Sequence, residues 1–392
     1  MVKKLKKIDL WIVIPYILLL GIGIVMVYSA SFYNTLMAGG KTDQYLIKQA
    51  VFAGVGLFLC YFCFILKAKF FRKRVAIKYA LLFTILSLAS LPILGKIFPS
   101  LRVNGAVAWI PMGPFGNYQP LELAKLVLIL YLAFVLTSKQ ERLLSYQNWK
   151  EVGFEVLPPI LVVGMIVFLL LIQPDFGGAI VISLITWVLL GASTIPGKYI
   201  VRLSTALAAF LGLVIFMILK LAPSIITSHY QYKRILAMQH PFKWEQQAGA
   251  QLVNSFYAIS NGGIFGVGLG NGIQKRGYLP EPHTDFILAV ISEELGLVGD
   301  VVVLGLLAII IFRIILIGIR AKKNYNALVC YGVATMLLTQ VILNVGGLLS
   351  LIPLTGVTLP FISYGGSSML ILSIALGIVL NLDATTKFER TG

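Results

Sequence analysis

Residues 279–299, LPEPHTDFILAVISEELGLVG, carry Glu281, Asp285, Glu293 and Glu294, four of the chain's 15 acidic side chains, in an otherwise apolar stretch. Ionisable groups are costly at membrane depth and mark functional sites there. Asp285 follows His283 and Thr284 and precedes the helix-like run FILAVISEELGLVG. Two roles fit it. Aspartate is a favoured helix N-cap, and a carboxylate held at a membrane surface serves as a general base for a hydroxyl. A helix N-terminus would lower its pKa and burial would raise it, so both roles stay open. The acidic cluster also reads as structural ion pairs at a helix end.

Other chemistry-bearing residues sit at the ends of apolar runs. Asp175 in QPDFGG (173–178) stands where the next helix begins, as a cap or a site residue. Glu122 and Lys125 in PLELAKL lie three apart on one helix face. They can pair there, as a structural or a cavity-lining couple. LTGVTLPFISYGGSS (354–368) joins Ser363 and Tyr364 to a Gly pair whose amides could face an anion, or which builds a buried re-entrant turn. The G-x-G repeats of 260–272 lack the strand and later acidic residue of a dinucleotide fold, so they read as tight turns or a close approach to a ligand. His229, His240 and His283 show no metal-ligand spacing.

The elements that must position these groups are membrane helices. The 392 residues are 58% hydrophobic and 12% charged, with mean hydropathy +0.91. Apolar runs near 20 residues recur, the length that crosses a bilayer, and they do not alternate as barrel strands do. The expected fold is all-α and polytopic, a single domain over 1–392. About ten spans are expected, near 10–31, 47–66, 76–95, 120–137, 153–172, 177–194, 199–219, 298–319, 326–349 and 366–384, with a large extracytoplasmic loop at 220–284. The lysines ahead of the first run suggest a signal peptide, but the run is long and more follow, so it reads as an uncleaved first helix. Cys60 and Cys63 form a C-x-x-C inside the second run, a setting for buried thiols rather than redox or zinc chemistry.

The net charge of +17 is spread over short loops, with no folded basic module, which argues against nucleic acid. Basic residues recur at the N-terminus, at 67–74, 139–150, Lys198, 320–323 and 387–390, in every second loop. By the positive-inside rule both termini are cytoplasmic. Segments 96–119, 173–178, 220–284 and 351–368 then share the outer face, which is where the chemistry is expected.

Seven segments in order resemble the SEDS family (shape, elongation, division and sporulation), bacterial membrane proteins that include FtsW, RodA and SpoVE. They are GIVMVYSAS (23–31), NGAVAWI (104–110), QPLELAKL (119–126), QPDFGGAIV (173–181), AISNGGIFGVGLGNG (258–272), LPEPHTDFILAVISEELGLVG (279–299) and LTGVTLPFISYGGSS (354–368). The first and last look most like the FtsW/SpoVE division branch. The resemblance implies a peptidoglycan glycosyltransferase of the bacterial plasma membrane. It would polymerise lipid II at the outer face, in septal wall synthesis, beside a class B penicillin-binding protein transpeptidase and other divisome proteins.

Residue by residue, the resemblance makes Asp285 the catalytic base. It assigns substrate contacts to Trp109, Glu122, Lys125 and Asp175, and extends the site to Glu281, His283 and Ser363. Many relatives carry Arg just before that Trp, where this chain has Val107-Ala108; Arg102 or the Lys275-Arg276 pair would then have to meet the pyrophosphate. No cofactor is implied beyond Mg²⁺ or Mn²⁺ riding on the lipid pyrophosphate, for which no all-protein cage is visible. A lipid II flippase and a non-catalytic scaffold for the transpeptidase are the competing readings. The clustering of motifs at one face favours chemistry there, since transport needs access to both.

Overall fold

The apolar runs become helices because lipid offers no partner to a backbone amide, and a helix satisfies its own. The computed structural model describes residues 2–101, 107–113, 116–145, 148–202, 204–205, 230–245 and 249–391. The principal helices are α1 (Leu10–Met37), α2 (Gln44–Ile65), α3 (Arg74–Ile97), α4 (Pro120–Ser138), α5 (Trp149–Ile172), α6 (Phe176–Ala192), α7 (Tyr230–Gln239), α8 (Ala250–Gly262), α9 (Ile287–Ile319), α10 (Asn324–Leu348) and α11 (Gly366–Thr391). Among the described residues eight of these are long and apolar enough to cross a membrane, and α6 is a shorter apolar helix of 17 residues. The protein is an all-α, multi-pass membrane protein. Nine of the ten expected spans correspond to these helices; the tenth, 199–219, falls largely on residues 206–229, outside the described residues.

Local sequence sets the helix starts. Asp9 caps α1 by accepting from the Trp11 amide at 3.1 Å. Asp175 caps α6 from the Gly178 amide at 2.7 Å. Pro120 opens α4, where its missing N–H costs nothing. A two-residue antiparallel ribbon, β1 (Ile110–Pro111) with β2 (Asn117–Tyr118), precedes α4. Ser367 of α11 ties it down, donating to the Asn117 carbonyl at 2.7 Å and accepting from the Gln119 amide at 3.1 Å.

The helices pack closely where side chains are small. A Cβ on Gly377 of α11 would stand 2.4 Å from the Cys60 carbonyl of α2, so α2 and α11 meet at backbone distance. Cys60 and Cys63 are buried free thiols at that seam, as the C-x-x-C reading expects. Tyr16 of α1 donates to Ser373 of α11 at 2.7 Å beside it. At the opposite end from Asp285, Asp9 binds Arg313 at 2.9 Å and Lys387 at 3.4 Å, which joins α1, α9 and α11.

One helix departs from the expected span. α9 begins at Ile287, eleven residues before 298, and its 33 residues would run about 50 Å, well beyond a hydrocarbon core of about 30 Å. It is broken at Gly296, whose φ of 68° and ψ of −168° suit glycine. The Gly-rich segment seals the break. Val267 and Gly268 donate to the carbonyls of Glu293 and Glu294, each at 3.0 Å, while Leu297 and Val298 donate to Gly263 and Ile264 at 3.0 and 3.2 Å. A Cβ on Gly266 would lie 2.2 Å from the Glu294 carbonyl. Gly266 therefore serves a close approach of backbone to backbone.

Candidate active site

The stretch that stood out in the sequence divides into two halves with different duties. Glu293 and Glu294 are fully buried. The Glu293 carboxylate accepts from the Ile273 amide at 3.0 Å and the Gln274 amide at 3.1 Å. The Glu294 carboxylate accepts from Ser29 at 2.8 Å and from the Gly270 amide at 3.0 Å, and forms an ion pair with Lys275. These two acids hold the Gly-rich loop onto α9, which is the structural ion-pair reading. Lys275 is consumed with them, buried and bonded to Ser29 at 2.7 Å. The structure thus corrects the assignment of Lys275 to pyrophosphate, because Glu294 already neutralises it.

Asp285 is placed differently. The N-cap position of α9 belongs to Phe286 and has no side-chain cap, so the capping role proposed for Asp285 is not realised. Asn344 of α10 donates to the Asp285 backbone carbonyl at 3.0 Å and, with the same amide nitrogen, to Val357 at 2.9 Å. The Asp285 carboxylate faces Gly356, where an added Cβ would stand 3.6 Å from Oδ2. Gly356 has φ of 74°, so the backbone there suits a residue without a side chain. Burial pushes the Asp285 carboxyl up to about 6, against the Arg234 charge that lowers it; Glu281 raises it further.

Arg234 of α7 also donates to the Leu354 carbonyl at 2.6 Å. Its charge acts on Asp175 as well as on Asp285. Burial raises the Asp175 carboxyl, while the Gly178 amide and the Lys125 charge lower it. Lys125 and Glu122 pair at 2.8 Å in the interior, and the second Glu122 oxygen has no hydrogen-bond partner among the described residues. Gly177 meets Thr355 and Val357, so the start of α6 rests on the same 354–357 segment. Asp285, Asp175, Arg234, Lys125 and Glu122 thereby belong to one electrostatic group around that segment.

His283 and Ser363 act beside the group as supports. His283 packs against Tyr45 and Tyr364, with ring centroids 4.6 and 5.6 Å apart, and burial pushes its imidazole down to about 4. It is neutral at pH 7. Glu281 is exposed, has φ of 53° and comes within 3.9 Å of the His283 ring nitrogen. Ser363 is buried; its hydroxyl donates to the Thr284 carbonyl at 2.7 Å and accepts from the Leu359 amide at 2.9 Å. It bolts the 359–364 turn to the Asp285 turn. Trp109 is 40% exposed beside β1, on the ribbon that Ser367 anchors. Arg102 lies outside the described residues. Among the described residues no group of three or more His, Cys, Asp or Glu side chains is placed to hold a metal ion.

Asp285 is thus a half-buried acid with a raised pKa, set in a turn at one end of a helical bundle and acted on by the Arg234 charge. The family described as cell cycle protein, covering FtsW, RodA and SpoVE, matches residues 10–388. The chain belongs to this family. Within the family it sits with the FtsW branch. The probable peptidoglycan glycosyltransferases FtsW of Lactococcus lactis and Bacillus subtilis are each 39% identical to it, covering 96% and 99% of this chain and 92% and 93% of theirs. Stage V sporulation protein E of Bacillus subtilis is 34% identical over 97% of this chain and 98% of its own.

Solved structures of family members agree in fold. A chain from a peptidoglycan synthase complex, solved in work on the coordination of polymerization and crosslinking, superposes with a TM-score of 0.74 at 29% identity, covering 97% of this chain and 98% of that one. Thermus thermophilus RodA gives 0.65 at 26% identity, covering 97% of each chain.

Two residues of the site were missed in the sequence. Arg234 was one of several loop cations, and Asn344 one polar residue in an apolar helix. For Asn344 a signal existed, since polar groups inside a span need a partner and mark function.

Proposed function

We propose that this FtsW-branch peptidoglycan glycosyltransferase polymerises lipid II with Asp285 as general base, at the extracytoplasmic face of the bacterial plasma membrane. One observation carries the assignment of the base. Asp285 is free of the helix cap, and its carboxyl is raised into the range where a base works near neutral pH.

The ionised carboxylate takes the proton of the acceptor sugar hydroxyl. The hydroxyl oxygen bonds to the anomeric carbon of the donor, and the bond from that carbon to the pyrophosphate oxygen breaks. The electron pair leaves with undecaprenyl pyrophosphate, and a single displacement inverts the anomeric centre. Arg234, beside both Asp285 and Asp175, is the cation best placed to meet the departing pyrophosphate. Lys125 shares its charge with Glu122 and tunes Asp175. Trp109 offers an exposed ring against which a sugar can lie. A divalent cation on the pyrophosphate would be held by the substrate, because the protein provides no cage for it among the described residues.

Topology supports the outer face. The cationic segments 67–74, 139–150 and 320–323 mark the end opposite to Asp285, and the positive-inside rule puts them, with both termini, in the cytoplasm. A class B penicillin-binding protein and other divisome proteins are the partners this reading implies, in septal wall synthesis.

Reconstitution with pure lipid II, with and without a cognate transpeptidase, tests the reading through the length of the glycan made. Long glycan from the wild type and none from Asp285→Asn is the expected result. Glycan of normal length from Asp285→Asn would sink the base assignment, and no glycan from the wild type in either setting would leave a flippase or scaffold.

A further inference from the structure

The ends of α3, α4 and α5 farthest from Asp285 enclose a groove of about 440 Å³. Its rim carries Arg74 and Lys78, one turn apart on α3, and Lys139 just past α4. Its floor is apolar and includes Leu81, Phe134, Val135 and Pro158. From Arg74 to Leu81 the helix descends about 10 Å, a third of a hydrocarbon core of about 30 Å. The outer flanks, Leu82 and Leu157, are exposed and apolar, so the slot opens sideways toward lipid.

Two consecutive prolines of α5, Pro158 and Pro159, line the slot. Pro159 has no N–H, so the Glu155 carbonyl four residues earlier loses its helical donor. Lys139 replaces that donor, bonding the Glu155 carbonyl at 2.7 Å and its carboxylate at 2.8 Å. The α4 end is thus tied to the turn of α5 that precedes its prolines, with the slot alongside. Glu155 takes up the charge of Lys139 and contacts Arg142 at 3.4 Å. Arg74 and Lys78 remain as exposed cations facing an apolar floor.

We propose that this groove binds one anionic glycerophospholipid of the leaflet at the basic end, with its phosphodiester between Arg74 and Lys78 and an acyl chain along Leu81 and Phe134. A soluble anion would leave the floor wet, and a zwitterionic lipid would leave the two cations half matched. Lipid II is not the occupant, because its polymerisation is assigned to the other end of α4. The groove itself rests on the membrane-spanning fold; only the exclusion of lipid II rests on the proposed site at Asp285.

Native mass spectrometry tests it by counting lipids retained after reconstitution in equimolar phosphatidylglycerol and phosphatidylcholine with matched chains. The wild type should keep one phosphatidylglycerol per chain. Cationic side chains near a lipid surface are each worth about fivefold, so Arg74→Gln/Lys78→Gln should lower the retained ratio of the two lipids about 30-fold. Leu81→Trp, which fills the slot and keeps the rim, should lose the bound lipid too, and Lys41→Gln at the other end should keep it. Equal retention of both lipids by the wild type, an unchanged ratio in the double variant, or displacement by soluble glycerol phosphate would each overturn the proposal. Because the readout is lipid binding, failure here leaves the transferase reading untouched.

Discussion

The side-chain amide of Asn344 holds the backbone carbonyl of Asp285 at 3.0 Å and that of Val357 at 2.9 Å. One nitrogen on α10 therefore sets the distance between the turn that bears the acid and the loop that faces it. Asn344→Leu keeps the volume and removes both bonds. A misplacement near 1 Å costs on the order of 100-fold in rate. We expect glycan synthesis to fall by about that much while the variant stays folded in the membrane; a rate within a factor of two of wild type would show that the bonds do not position the acid.

Asp285→Asn should separate activity from stability. Losing a general base costs about 10²- to 10⁴-fold. Burial raises the Asp285 pKa above its unfolded value, so the folded state prefers the protonated form. Ionisation then costs stability as pH rises through about 6. Neutral Asn escapes that cost, so at pH 7.5 the variant should melt no lower than wild type and make no glycan. Melting well below wild type would place Asp285 among the structural acids with Glu293 and Glu294.

The pH profile should report the same group. Activity needs the carboxylate, so kcat/KM should rise on the acid side with a midpoint near 6. Glu281 raises that pKa and Arg234 lowers it. Glu281→Gln should therefore move the midpoint down and Arg234→Gln should move it up, besides weakening pyrophosphate release. Midpoints that do not move in either variant would detach the pH dependence from Asp285.

Lys275 and Lys125 should fail in different ways. Lys275→Ala leaves Glu294 buried and unpaired, a loss of about 3–5 kcal/mol, and should lower the melting temperature or the membrane yield. Trp109→Ala, Lys125→Ala and Asp175→Ala should lower glycan synthesis in protein that still reaches the membrane. Wild-type rates from all three would make them scaffold residues.

Topology has its own test. A Cys replacing Tyr278, an exposed residue, should react with an impermeant thiol reagent in intact spheroplasts, and one replacing Lys73 should not. The reverse pattern would put the acid on the cytoplasmic side and discard the mechanism as written.

The spans were legible because about 20 apolar residues in a row admit one solution in lipid. The duties of the acids in 279–299 were not. Asp285, Glu293 and Glu294 look alike in a string of letters. What separates them is which amides and cations arrive from 263–275, from Ser29 and from Asn344, all distant in sequence. Lys275 was misread for the same reason, since a loop lysine gives no sign of the glutamate it will meet. Arg234 escaped notice because its significance lies in acting on two carboxylates, Asp285 further along the chain and Asp175 before it, that come near it only once the chain has folded.

The break in α9 behaves as a splice rather than a joint. Four main-chain hydrogen bonds from 263–268 and 297–298 span Gly296, and Glu293 and Glu294 pin the loop that makes them. Swinging one half against the other would strip all of them at once, in a place where lipid offers no replacement. The two halves of α9 therefore move as one strut. A push at Ile319, the far end of α9, would reach the acid-bearing turn undiminished, about 50 Å distant at helical rise.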